Sequence, residues 1–518
     1  MNNASIGQRR APAKEKPTII LVAFYDIDSF PVCTLHSVLK KTGWDVRSFF
    51  FKKLNPNNTM TFPSESEMDC FVSAIKAAQP LFVGMSVRST HFELASELSR
   101  RIRQETGAVV LWGGVHATIR PDQSIQHADI VCVGEGEDAI VELAARLHQH
   151  APIDDIKNLW INKNGTIIKN DLRPLIQDLD RLPFPDFTSA DKYLFEDGKI
   201  KAYPSEKKTY WIMTSRGCPY SCSYCCNNVL RKVYKDKGPY VRRRSVDNVL
   251  AELTLAKSLF PGLSFLAFED DVFAMNLEWL KAFTPEYKKQ IGLPFFCYCY
   301  PSVVSAPLIE LLKDAGATSM TMGIQSGSSF IRRECYGRRE SNEDIINAAR
   351  ILNRFGIQCS YDIILDSKLE SEADQQATFD LVSKLPRPFH LHTHTLTHFP
   401  ETDLTKMLLS KKLIGEEEVE DRQQKSYERW TPKLDLKRSK QSLYWDNLYY
   451  LFEIDFISTE RILQIAKVRF FKDHPHILTL VLLLSRKIAV MVYFAFRAVR
   501  FIFRRLKLLF KNEKEAAL

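Results

Sequence analysis

Residues 215–228 read SRGCPYSCSYCCNN. Four cysteines, Cys218, Cys222, Cys225 and Cys226, fall within nine positions at uneven spacing. A structural zinc site wants four ligands, usually as two C-x-x-C pairs or as thiols with histidines. Here Cys225 and Cys226 are adjacent, which makes poor tetrahedral geometry on one backbone, and no histidine lies near. The set Cys218, Cys222 and Cys225 has the spacing C-x3-C-x2-C. Three thiolates on a tight loop can hold three irons of a 4Fe–4S cluster, leaving the fourth iron open to substrate or cofactor. Cys226 then reads as a spare, packed thiol.

The cysteine loop follows an apolar run, YWIMTS (210–215). Further strand candidates come after it: LSFLAFED (263–270), PFFCYCY (294–300), ATSMTMGI (317–324), QCSYDIIL (358–365) and FHLHTHTL (389–396). Helical patterns lie between them, for example over 245–258 and 342–355. Six βα units predict a full or partial parallel barrel, with the cysteines at the strand end where barrel active sites lie.

Upstream, TIILVAF (18–24), DVRSFFF (45–51), LFVGMSV (81–87), AVVLW (108–112) and IVCV (130–133) alternate with helical stretches. Their order predicts an α/β fold with a doubly wound, open parallel sheet. Ligands of such sheets bind beyond the carboxyl ends of the strands. Gly84 and Ser86, Gly113 and Gly114, and Gly134 and Gly136 sit at those ends. Any one pair can be a turn; three pairs on one edge favour a ligand. No G-x-G-x-x-G follows the first strand, which disfavours a dinucleotide. Residues 151–205 read as a connector, with a hairpin around Asn164-Gly165 and a Pro-broken segment, DRLPFPDF (180–187).

The chain of 518 residues is long enough for two or three domains, and 45% apolar with 26% charged residues is a globular composition. The net charge of +9 is too diffuse to argue for nucleic acid. The 11 cysteines form no disulfide framework, which points to a reducing compartment. The N-terminal MNNASIGQRRAPAKEKP is polar and basic and reads as a disordered tail, not a signal peptide. The C-terminal part, 401–518, loses strand alternation and becomes helical. Between Ile477 and Phe496 the only charges are Arg486 and Lys487, and no acid appears from His474 to Asn512. The Arg-Lys pair argues against a membrane span. A basic amphipathic helix over 475–511, lying on the membrane surface, fits better than one packed on the barrel.

The C-x3-C-x2-C motif after a first barrel strand, with Tyr224 before the third cysteine, resembles the radical S-adenosylmethionine (SAM) enzymes. VGEGE preceded by GGVHATIRPDQ, then LDRLPFPDF, then the cysteine loop, is similar to the cobalamin (B12)-binding subgroup. The resemblance covers roughly residues 18–400. Together with the tail over 1–16, the connector 151–205 and the helical region 401–518 read above, it implies a cobalamin-binding Rossmann-like domain over 17–150 and a partial (β/α)6 barrel over 206–400. It implies that Cys218, Cys222 and Cys225 ligate the cluster and that SAM chelates the open iron. The reduced cluster would cleave SAM to a 5′-deoxyadenosyl radical that abstracts hydrogen from an unactivated carbon. Tyr224 would lie near the adenine, Glu269 and Asp270 in FEDD (268–271) near the SAM amino group, and Gln325 and Ser326 in GIQSGS (323–328) near the ribose. Ser86, Gly113, Gly114, Glu135 and Gly136 match the cobalamin positions. His116 reads as structural, and the D-x-H-x-x-G signature of an axial histidine is absent. The segment YDIILDSKLESEAD (361–374) departs from the family's glycine- and proline-bearing version, so no contact is assigned to the fifth strand.

The leading expectation is a methyltransferase acting on an unactivated carbon of a small or lipid-like substrate, with an electron donor such as flavodoxin or ferredoxin. It would be cytoplasmic, with peripheral contact to the inner face of the membrane through the C-terminus. The rivals are an oxidative cyclase or rearrangement enzyme with the same cofactors, and a non-catalytic cobalamin or redox sensor. Methylthio transfer is disfavoured, because Cys33, Cys70 and Cys132 do not look like cluster ligands.

Overall fold

The computed structural model describes residues 16–54, 60–424 and 439–484. The apolar runs become strands because both their faces are covered. β1 (Thr18–Phe24) is buried along almost its whole length. It lies between β2 (Asp45–Phe51) and β3 (Val83–Ser86), and the sheet continues through β4 (Val110–Gly113) and β5 (Ile130–Cys132), all parallel. The order 2-1-3-4-5 is that of a doubly wound sheet whose strand ends face a ligand crevice. Its helices start where the sequence supplies caps. Ser64 and Glu67 form a reciprocal capping box at Glu65–Ala78.

The segment read as a connector extends this sheet at both edges. β6 (Leu159–Lys163) and β7 (Thr166–Lys169) form the expected hairpin, turning at Asn164 and Gly165 with φ of 54° and 90°, and add antiparallel to β5. β8 (Lys192–Glu196) adds parallel to β2, and β9 (Lys199–Ala202) pairs back on it, giving nine strands.

The second sheet holds six parallel strands in sequence order: β10 (Thr209–Ile212), β13 (Phe265–Phe268), β14 (Phe295–Cys299), β15 (Ala317–Gln325), β16 (Gln358–Leu365) and β17 (Phe389–Thr395). Between the first two of these, β11 (Ser215–Arg216) and β12 (Arg242–Arg243) form a small antiparallel pair. β10 and β17 do not pair, so the barrel is partial.

The helix Lys440–Phe452 covers the outside of β17. Leu448, Tyr449, Leu451 and Phe452 are buried there, each contributing roughly 2 kcal/mol of apolar burial. Phe452 meets Phe389 at 6.2 Å, and Glu453 accepts the Leu391 N–H of the edge strand at 2.6 Å. A carboxylate thus satisfies an edge donor that a closed barrel would pair with another strand. The expected helical C-terminal region is present as Asp403–Ser410, Glu416–Gln424, Lys440–Phe452, Thr459–Ala466, Arg469–Asp473 and a helical stretch over 475–484. The rest of the proposed basic segment, 485–511, lies outside the described residues.

Candidate active site

The cysteine loop starts immediately after β11. Gly217 has φ +87°, and a Cβ there would stand 2.3 Å from the Tyr240 carbonyl, so only glycine permits this turn. Within the loop, Cys225 N–H donates to Cys222 O at 3.0 Å and Ser223 N–H to Tyr336 O at 3.1 Å. Asn228 donates to Ser221 O at 3.1 Å, and Arg231 to Cys218 O. Cys225 then caps the helix Cys226–Val233. Cys218, Cys222, Cys225 and Cys226 are all partly exposed free thiols.

Burial pushes the Cys218 thiol up to about 12. It raises Cys222 as well, against the opposing charge of Arg338. The hydrogen bond with Cys226, helped by the Asn227 N–H, holds Cys225 down to about 7. Among the described residues no three His, Cys, Asp or Glu side chains converge on one metal-ion position. Three thiols at C-x3-C-x2-C spacing on one loop are a donor set that suits a 4Fe–4S cluster.

Arg338 was not singled out from the sequence. It is buried, donates to Glu340 at 2.6 Å and to Gly323 O at 2.6 Å, and reaches the Tyr224 hydroxyl at 3.4 Å. Its guanidinium lies 4.2 Å over the Tyr300 ring, which stacks on Tyr220 at 3.7 Å. YGRRE (336–340) resembles any surface turn. Only the fold places Arg338 beside the cysteine loop.

The two neighbouring carboxylates of FEDD differ. Asp270 is fully buried and accepts from Thr214 N–H at 3.1 Å, Thr214 Oγ1 at 2.8 Å and Ser215 Oγ. Its oxygens brace the exit from β10. Glu269 keeps a buried Oε1 with no hydrogen-bond partner, and burial, seconded by Asp270, pushes it up to about 7. An orphaned carboxylate oxygen at a strand end suits a ligand's ammonium group. Asp271, also unassigned from sequence, accepts from Asn227 at 3.1 Å beside the cysteines.

Gln325 ends β15 with φ +62°, and its amide fills the space above Gly323. The Ser326 hydroxyl is buried, 3.2 Å from both Glu370 and Thr378. Tyr224 sits edge-on to Tyr336 at 5.2 Å.

In the first domain, Ser86 and Gly113 end β3 and β4, and Gly136 caps the helix Glu137–His148. A Cβ on Gly113 would sit in ordinary contact with Cys132 at 3.9 Å, so this position does not itself require glycine. On Gly114, with φ +93°, a Cβ would meet Val87 O at 2.9 Å; this glycine closes backbone on backbone. His116 is fully buried, 3.0 Å from Ser89 Oγ, and burial lowers it to about 3. It is a core imidazole held at Nδ1 by Ser89, with its buried Nε2 left without a partner.

Glu135 is occupied by protein. Its Oε1 takes Arg216 at 3.0 Å and Arg242 at 2.8 Å, and its Oε2 takes the Ile176 N–H at 2.8 Å. Glu137 takes the other arm of Arg216 at 2.5 Å. Arg216 stands two residues before Cys218. One partly buried ion-pair network therefore joins the strand-end loop of the first domain to the cysteine loop of the second. The helix Val115–Ile119 also packs against Cys226–Val233.

Comparison with known proteins agrees with this layout. Residues 17–144 match the B12 binding domain and residues 212–382 the radical SAM superfamily. An uncharacterized methyltransferase of Pyrococcus horikoshii is 25% identical over 349 residues, 66% of this chain and 72% of that protein. The bacteriochlorophyllide d C-8(2)-methyltransferase of Chlorobaculum tepidum is 25% identical over 246 residues, 47% of this chain and 49% of that protein. The fold is shared with the radical SAM methyltransferase TsrM of Kitasatospora setae, solved with cobalamin and a 4Fe–4S cluster bound. The TM-score is 0.61 at 17% identity, over 79% of this chain and 85% of that one. A B12-binding sheet ahead of a cysteine-bearing radical SAM barrel, locked loop to loop, makes the chain a member of the cobalamin-binding radical SAM enzyme family, whose cofactors are a 4Fe–4S cluster, SAM and cobalamin.

Proposed function

We propose that the protein methylates an unactivated carbon of a small or lipid-like molecule. The observation that supports this reading is the Glu135–Arg216–Glu137 network, because it holds a strand-end loop of the first domain against the cysteine loop of the second. Methyl transfer to a carbon radical needs both cofactors over one substrate position. When bound, the cluster and SAM supply hydrogen abstraction and cobalamin supplies the methyl group.

Cys218, Cys222 and Cys225 would hold the cluster. Arg338 would offset the negative charge of Cys222 as a cluster thiolate. Glu269 would accept the SAM ammonium, with Tyr224, Gln325 and Ser326 lining the nucleoside. Ser86, Gly113, Gly114 and Gly136 would border cobalamin, whereas Glu135 and Asp270 act as braces. A reductant of the flavodoxin or ferredoxin type would serve the cluster in the cytoplasm.

An apolar stripe supports peripheral contact with the inner face of the membrane. Ile477, Leu480, Val481 and Leu484 are exposed at helical spacing, while Leu478 and Leu482 are buried on the opposite side. Among the described residues no helix is long and apolar enough to cross a membrane.

The test is anaerobic. Protein with rebuilt cluster and added cobalamin receives SAM and a strong reductant. Both 5′-deoxyadenosine and S-adenosylhomocysteine are expected, and neither in Cys222→Ala. Deoxyadenosine without S-adenosylhomocysteine would refute methyl transfer and favour cyclisation or rearrangement. Neither product from a protein that holds its cluster would favour the sensor.

A further inference from the structure

The last two barrel strands carry a row of imidazoles that the cofactors do not explain. On β14, Phe295 packs outward against Phe268, Phe273 and Tyr287 at 5.2, 6.2 and 5.4 Å. Strand alternation turns Phe296 and Tyr298 to the inner face, where their rings meet at 4.9 Å. The register carries that face across the sheet: Tyr298 pairs with Thr321, Gly323 with Asp362, and Asp362 with His392. His390 and His394 share the parity of His392. The opposite parity of β17 faces the outer helix, through Phe389 on Phe452 and Thr393 on Asp446 at 2.9 Å.

Asp362 therefore stands inside the barrel between two histidines. His392 Nδ1 lies 3.0 Å and His394 Nε2 3.7 Å from the same oxygen, Oδ1. Burial works against the charge of Asp362, but the contacts with His392 and His394 outweigh it and hold its carboxyl below the usual range. The imidazole side chains of His392 and His394 stay 48% and 47% exposed, on the face of β17 opposite the one that meets the outer helix. His390 is further fixed by Gln358 at 2.9 Å.

The geometry points to an oxyanion-binding site here, formed by His392 and His394 and oriented by Asp362, that seats the carboxylate or phosphate group of the substrate. The inference rests on the reading of the barrel as the reaction chamber. Asp362 takes one N–H of His392, which turns Nε2 to the interior. An oxyanion seated there would be the ring's second partner, on the side away from Asp362. The Phe296 and Tyr298 rings supply an apolar wall for the rest of the molecule. Asp362 and His392 act by binding and positioning, and no bond is made or broken at them.

Equilibrium dialysis of the reconstituted full chain with labelled inorganic diphosphate and, separately, labelled decanoate tests this. At least one probe is expected to bind wild type and to bind at least tenfold more weakly to His392→Gln and to Asp362→Asn. Iron content and melting temperature of each variant serve as fold controls, and His394→Gln is the second variant should one fail them. Retention of diphosphate alone identifies a phosphorylated head, and of decanoate alone a carboxylate. No binding of either probe to wild type, or equal binding to wild type and the variants, overturns the site. SAM cleavage by the same wild-type preparation is read separately; its absence would refute the proposed function while leaving a positive dialysis result in place.

Discussion

Arg216→Met tests whether the two halves of the molecule are held by charge. Arg216 spans Glu135 and Glu137, whose side chains are 14% and 8% exposed, and Arg242 is 5% exposed on the far side of Glu135. The substitution keeps the length and apolar stem of the side chain but leaves Glu137 buried without its cation. Glu135 retains Arg242. Breaking a buried pair on one side costs about 3–5 kcal/mol, because the remaining charge stays desolvated. Taking about 3 kcal/mol, with about 2–4 °C per kcal/mol for a domain of this size, the melting temperature should drop by roughly 6–12 °C. The companion Arg216→Met/Glu137→Gln removes the stranded charge and should recover part of the loss, a coupling of about 0.5–3 kcal/mol. The assay is thermal unfolding of anaerobic protein at matched iron content. A melting temperature within about 1 °C of wild type, the range of an ordinary surface substitution, would refute the reasoning.

Two further outcomes follow from the site and the C-terminus. Glu269 holds its proton to about 7 in the fold against an ordinary value of 4.5, so stability falls as pH rises between these values and levels off above them. Glu269→Gln should therefore match wild type near the lower value and exceed it in melting temperature above the upper one in SAM-free protein; a constant difference across that window would count against the assignment. Leu480→Asp/Val481→Asp/Leu484→Asp alters only exposed positions and should weaken flotation with anionic liposomes at least tenfold; unchanged flotation would sink the membrane reading.

The sheets were legible because a strand buried on both faces must be a continuous apolar run, as TIILVAF is. The cysteine spacing was legible because three ligands on one loop are a local constraint. What local pattern could not carry was the partner. Glu135 sits among glycines in a strand-end loop and looks like a cofactor contact, yet its cations lie 81 and 107 residues away. Sequence assigns Glu269 and Asp270 one shared role, and only the exit from β10, with Thr214 and Ser215 in place, separates the brace from the carboxylate with an unpaired oxygen. The inward histidines of β17 were visible as letters, but they gained meaning only when the register set Asp362 beside them.

The segment between the two sheets has a consequence for the order in which the molecule is made. β2 and β5 remain open edges until β8 and β6 pair with them, and these strands come from residues 159–196. The emerging chain thus cannot finish its first sheet at residue 150, where the helices of the doubly wound core have already been synthesised. It must wait until about residue 202 has cleared the ribosome. A fragment ending near residue 150 would expose two unpaired strand edges and be prone to self-association. The first sheet is therefore completed beside the first barrel strand, only just before the cysteine loop appears.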